Sequence, residues 1–276
     1  MTEDPGNARI ARLFDALADS YDQVGVDFFQ PIADGLVAAV APARGERWLD
    51  VGCGRGAVLV PVARAVEPGG AVTGIDVSPA MVEQCRAVAG EAGLANVEVR
   101  LGDAAAPEVD GPFDGITSSL VLFFLPDPLA ALRTWVPLLR LGGRVGVTTF
   151  GPPDPRWDAV DDVFAPYLPP AMRDARTTGE QGPFASDAGM EQLLSGAGVV
   201  DVTTTTADIP VRFADADAWH RFSWSTGQRA MWLSVPEAER AAVRATAEAR
   251  LLEHAAPDGS VTFQQNVRHT LAAAAG

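Results

Sequence analysis

The stretch Trp48-Leu49-Asp50-Val51-Gly52-Cys53-Gly54-Arg55-Gly56-Ala57 decides how the rest of the chain is read. Trp48, Leu49 and Val51 make a short apolar run that suits a buried strand, and the glycines after it turn the chain abruptly into a helical run from Ala57 to Val66. Glycine allows backbone angles closed to other residues, and without a Cβ it lets a ligand lie against the main chain beside a helix N-terminus. The turn alone does not choose the ligand, because Gly52-x-Gly54-x-x-Ala57 also satisfies the dinucleotide fingerprint. Acids narrow the choice. Asp50 lies within the first strand, a second strand from Ala71 to Ile75 ends in Asp76, and a third from Val97 to Leu101 ends in Gly102-Asp103-Ala104. Acids at three successive strand ends face one crevice.

With GIDVSPAM at 74–81, LGDAAAP at 101–107 and FDGITSSLVLFFLPDP at 113–128 following in order, the chain resembles the class I S-adenosylmethionine-dependent methyltransferases over about residues 31–150. The resemblance implies an α/β fold: a Rossmann-like, seven-stranded, mostly parallel sheet with an antiparallel last strand. It implies S-adenosyl-L-methionine as cofactor. Gly52, Cys53 and Gly54 would pass along its methionine part, and Asp50 would hold its amino group. Asp76 would take the ribose diol, with Val77 and Gly102 beside it. Met81 would pack on the adenine, Asp103 with Ala104 would read the adenine edge, and a main-chain carbonyl at Ser118 or Ser119 would bind the amino group. Many relatives carry a histidine just afterwards, where this chain has Leu122-Phe123-Phe124. An apolar wall there argues against an acceptor phenol that needs a strong base.

The 276 residues, 47% hydrophobic, suffice for one large domain with insertions. A net charge of -15 disfavours nucleic acid as partner. Lysine is absent from the sequence, which excludes Schiff-base chemistry and a Tyr-x-x-x-Lys dehydrogenase site. Cys53 and Cys85 offer neither a disulfide framework nor a metal site and suit a reducing cytoplasm; no stretch reads as a signal peptide or a membrane span.

Outward from the core, residues 1–30 read as a lid helix capped at Asn7, with Ile10, Leu13, Phe14, Leu17 and Tyr21 on one face. It either packs on the core, closes over the cofactor with Tyr21 in the acceptor pocket, or exchanges between subunits in a homo-oligomer. The core at 31–150 is followed by a proline-broken insertion at 151–186, a helix and sixth strand at 187–207, a second insertion at 208–258, and a last strand and tail at 259–276. Both insertions leave the carboxyl edge of the sheet and are expected to form a helical roof over the acceptor. Tyr21, Phe123, Trp157, Phe164, Tyr167, Trp219, Phe222 and Trp224 are the expected lining for a bulky, apolar small molecule. Of the three histidines, His220 is the candidate base, with Tyr21 as the other catalytic candidate. The roof and the ending GSVTFQQNVRHTL are similar to small-molecule methyltransferases of bacterial secondary metabolism, and within them to carbon methyltransferases of prenyl or terpenoid chains, such as the teleocidin-type methyltransferase/cyclases. That similarity implies carbon methylation with carbocation-driven cyclisation. O- or N-methylation of a polyketide or aromatic acceptor with His220 as base is the alternative, and a dehydrogenase or a non-methylating cyclase or binding module on the same fold is a third reading.

Overall fold

The computed structural model describes residues 5–169 and 182–275. Seven strands, β1 (Arg47–Val51), β2 (Ala71–Asp76), β3 (Val97–Leu101), β4 (Phe113–Ser119), β5 (Leu139–Pro153), β6 (Val199–Phe213) and β7 (Val261–Ala274), lie in the order β3-β2-β1-β4-β5-β7-β6. The pairings from β3 through β5 are parallel, and β7 runs antiparallel to both β5 and β6. This is the expected Rossmann-like sheet. The chain winds outward from β1 to β3 and then returns to β4 on the other side of β1. That reversal opens a crevice at the carboxyl ends of β1 and β4, where open α/β sheets bind their ligands.

Helices α1 (Pro5–Asp15) and α2 (Phe29–Val40) precede the sheet, and α3 (Leu59–Val66), α4 (Pro79–Glu91) and α5 (Pro128–Trp135) connect its parallel strands. Two of these start at side-chain caps that the sequence announces. Ser78 Oγ accepts from the Met81 N–H at 3.1 Å and Asp127 Oδ1 from the Ala130 N–H at 2.9 Å, each with proline in the first turn. Beyond β5 come α6 (Pro155–Asp161), α7 (Asp187–Gly196), α8 (Ala216–Ser225), α9 (Arg229–Ser234) and α10 (Glu237–Leu252). Alternate residues of β1 serve opposite faces of the sheet: Trp48 packs with Leu36, Leu59 and Val62, while Leu49 and Val51 pack with Ile116, Trp135 and Leu194.

Several boundaries differ from the sequence reading. α1 starts at Pro5, ahead of the expected Asn7 cap, and ends at Asp15. Tyr21 therefore sits in the turn after the helix, its N–H donating to the Leu17 carbonyl at 2.8 Å. β6 runs on to Phe213, so residues 208–213 are strand and not the start of an insertion. Pro210 is tolerated because β6 is the sheet edge, where a missing N–H leaves no ladder bond broken. The alanines near the end of the chain are strand as well, with Ala272 and Ala274 buried. In the first insertion, Pro170 and Met172 lie outside the described residues.

Candidate active site

The glycine turn is held in shape by β2. The N–H groups of Gly52 and Cys53 both donate to the Ile75 carbonyl, at 2.8 and 2.9 Å. Gly52, Gly54 and Gly56 have φ of +72°, +50° and +95°, a region that side-chain-bearing residues rarely enter. A Cβ on Gly52 would collide with Val121, whereas one on Gly54 would meet no atom within 4 Å and would stand in open space. Asp76, at the tip of β2, clamps the turn: its Oδ2 accepts from the Gly54 N–H and its Oδ1 from the Ser78 N–H, both at 2.9 Å.

A cavity of about 270 Å³ opens on this turn. Asp50, Gly52, Cys53, Gly54, Asp76, Val77, Met81, Gly102, Asp103, Ala104 and Ser119 all line it, so eleven of the twelve expected cofactor residues share one wall. Ser118 does not: its hydroxyl donates to the Val51 carbonyl at 2.8 Å inside the sheet. Asp50 accepts from the Thr117 hydroxyl at 2.9 Å, and burial pushes its carboxyl up to about 7 against that bond. Asp76 is also raised, chiefly by burial. The Cys53 thiol, hydrogen-bonded to Cys85 and buried, is raised and stays protonated. Asp103 Oδ1 accepts from the Ala105 N–H at 2.8 Å, and the Trp135 indole N–H fixes the Ala104 carbonyl at 2.7 Å. Buried carboxylates raised by desolvation want a cation or several donors, and a nucleoside bearing an ammonium and a sulfonium supplies both. Together with the open space over Gly54, the residues present fit the cofactor the sequence implies.

The opposite wall comes from the N-terminal segment. Tyr21 stacks on Phe29 with centroids 4.4 Å apart, Phe14 meets Tyr21 at 5.9 Å and Phe124 at 5.5 Å, and all four line the cavity. The segment is latched down. Asp15 Oδ1 accepts from the Ser78 hydroxyl at 2.6 Å and from the Ala80 N–H at 3.2 Å, while Arg55 and Arg229 donate to the Ala18 and Ala16 carbonyls at 2.9 and 2.8 Å. Burial, then Asp22 and Asp76, raise the Tyr21 phenol, which makes it a neutral hydrogen-bond donor at physiological pH. Asp22 and Leu120, both lining the cavity, have φ of +58° and +59°.

The roof does not supply this lining. Trp157, Phe164, Trp219 and Phe222 are buried in an apolar core of their own with Phe213, Trp232 and Phe263, well packed through edge and stacked ring contacts. Tyr167 donates its hydroxyl to Glu239 at 2.7 Å, and Phe123 stacks on Phe150 at 5.4 Å, turned away from the cavity that its neighbour Phe124 lines. His220 is not at the cavity either. Its Nε2 accepts from the Trp224 indole N–H at 3.1 Å, its ring stands against Trp232 at 5.2 Å, and burial lowers its basicity. His269 bonds Thr148 at 2.8 Å inside the sheet and His254 packs near Phe263. The cavity lining contains none of the three histidines. Sequence reasoning did not single out Phe29, Arg55 and Asp22 as lining residues, Asp22 being the neighbour of the candidate Tyr21; Phe124 belongs to the apolar wall read after the fourth strand.

Comparisons agree with this geometry. A family model described as a methyltransferase domain matches residues 49–143. The nocamycin O-methyltransferase of Saccharothrix syringae is 41% identical over 256 residues, covering 88% of this chain and 91% of that protein. An aklanonic acid methyltransferase of Streptomyces sp. (strain C5) is 37% identical over 174 residues, 59% of this chain and 75% of that one. Among solved structures, phosphoethanolamine N-methyltransferase 2 of Haemonchus contortus with S-adenosyl-L-methionine shares the fold at a TM-score of 0.61, 15% identity, covering 100% of this chain and 61% of that chain. The [4+2]-cyclase SpnF does so at 0.52 and 22%, covering 90% and 81%.

Proposed function

From the premise that the chain belongs to the class I S-adenosylmethionine-dependent methyltransferases, we propose that it methylates an oxygen atom of a largely apolar, polyketide-type small molecule in antibiotic biosynthesis. One observation carries the choice of oxygen. The likeness to nocamycin O-methyltransferase runs over 91% of that protein, so it takes in the regions around the acceptor cavity as well as the cofactor core. The dinucleotide reading of the glycine turn falls with family membership.

The cofactor is S-adenosyl-L-methionine, which when bound supplies an electrophilic methyl on a positively charged sulfur. The strand-tip acids and the glycine turn would hold it, and the Phe14, Tyr21, Phe29 and Phe124 rings on the opposite wall would keep water from the reacting atoms. Tyr21, held as a neutral phenol, donates a hydrogen bond to the acceptor and aligns its oxygen for in-line attack. Carbon methylation of a prenyl chain remains the second reading, because the same four rings could face a carbocation. The cytoplasm is the proposed compartment, with no membrane or nucleic-acid partner; no helix among the described residues is long and apolar enough to cross a membrane.

The test compares metabolites of a strain lacking this gene with those of the parent, then incubates the accumulating compound with purified protein and methyl-labelled cofactor. Label on oxygen supports the proposal. Label on carbon replaces it with the second reading.

A further inference from the structure

Resting on that O-methylation reading, we propose that Asp22 is the group that takes the proton from the acceptor hydroxyl. The cavity has two sides with different chemistry. Asp50, Asp76 and Asp103 belong to the strand tips and are committed to Thr117, to the Gly54 and Ser78 N–H groups, and to the Ala105 N–H. Asp22 follows Tyr21 in the N-terminal wall and lines the same cavity, on the side away from the strand-tip acids, where the proposed reading puts the acceptor.

Its backbone is held in the left-handed region at φ +58°, a conformation costly for a residue with a side chain and found where surrounding structure imposes it. Here the imposing bonds are visible on both sides: the Tyr21 N–H to the Leu17 carbonyl at 2.8 Å, and the Gln23 N–H to the Ser20 carbonyl at 3.1 Å, with Gln23 Nε2 on the Asp22 carbonyl at 3.0 Å. The charged groups that face it are Arg55, which keeps it ionised, and Asp27, which opposes that. Burial, joined by Asp27, outweighs Arg55 and lifts the carboxyl to about 6, close to the value that lets a base be ionised and still accept a proton at neutral pH. No histidine lines the cavity, and Tyr21, raised and protonated, cannot serve.

In the step, the acceptor O–H proton passes to an Asp22 oxygen as a lone pair on the acceptor oxygen forms the new O–C bond. The C–S bond breaks with its electron pair left on sulfur, giving a methyl ether and the neutral thioether S-adenosylhomocysteine. Asp22 then returns the proton to solvent.

The substrate for the test is the compound that accumulates in the strain lacking the gene. With wild-type protein, kcat/KM should rise with pH through a limb near 6 and then level. Asp22→Asn should lower kcat by roughly 10²–10⁴-fold and erase that limb, Asp22→Glu should restore part of the rate, and calorimetric affinity for S-adenosylhomocysteine should stay within about threefold in both. Asp22→Asn with undiminished kcat and the same limb overturns the assignment while leaving O-methylation intact. A tenfold or greater loss of S-adenosylhomocysteine affinity overturns it in favour of a cofactor-binding role. Label found on carbon, or no turnover by the wild type, overturns the O-methylation reading itself and the assignment with it.

Discussion

At the scale of single residues, the strand-tip acids trade stability for binding. Asp76 clamps the glycine turn through two backbone N–H groups and is the expected ribose ligand, so Asp76→Ala should weaken S-adenosylhomocysteine binding by about ten- to a hundredfold, about 1.5–3 kcal/mol, measured by calorimetry. Asp50 carries the sharper signature, because burial lifts its folded-state value to about 7, above the ordinary aspartate value of 3.8. A group raised on folding contributes stability that is fully present below its unfolded value and is lost as pH climbs through the folded one. Asp50→Asn should therefore raise the melting temperature relative to wild type at pH 8 and not at pH 3.5. The same titration acts on binding with opposite sign. An ammonium or sulfonium prefers the ionised carboxylate, so wild-type affinity for S-adenosyl-L-methionine should increase as pH rises through about 7, and Asp50→Asn should flatten that dependence. These residues were legible in the sequence because each sits within a few positions of the strand end or turn that fixes its place. Asp22 was not singled out: its place after Tyr21 marks the segment, but the sequence does not tell whether the carboxylate faces the cavity or solvent.

At the scale of elements, α1 works as a cover whose closure depends on few bonds. Removing the Asp15 carboxylate frees the Ser78 hydroxyl and the Ala80 N–H, so Asp15→Ala should quicken hydrogen exchange over residues 5–22 at a global cost near 1 kcal/mol. The helix α8 has a different job from the one its sequence suggested. Its His220 accepts from Trp224, so His220→Gln should leave the pH dependence of turnover unchanged and show only a small loss of stability. Aromatic residues near a histidine read equally well as a pocket or as packing; burial against distant partners such as Trp157 and Phe263 decides between them, and a local pattern does not carry that information. The extension of β6 was hidden for a related reason. Its polar alternation and Pro210 resemble a loop, and they become acceptable only on the sheet edge.

At the scale of the whole molecule, a cofactor half built from local motifs supports an aromatic core assembled from residues far apart in the chain. Trp219 is fully buried in that core, so Trp219→Ala should cost about 3–5 kcal/mol in denaturant unfolding, with S-adenosylhomocysteine affinity of the folded fraction unchanged. The fold class followed from the motifs up to Phe150 and the resemblance they carry, whereas the order of the strands and the reach of the later ones depended on pairings across long sequence gaps. One of those pairings governs the order of assembly. β6 touches the sheet only through β7, which is wedged between it and β5, so a growing chain must add residues 154–260 after β5, and residues 214–260 after β6, before either finds β7. Until Val261–Ala274 emerges, β5 offers a bare rim and β6 hangs loose, and that interval is when a nascent chain of this protein is most exposed to pairing with the wrong neighbour.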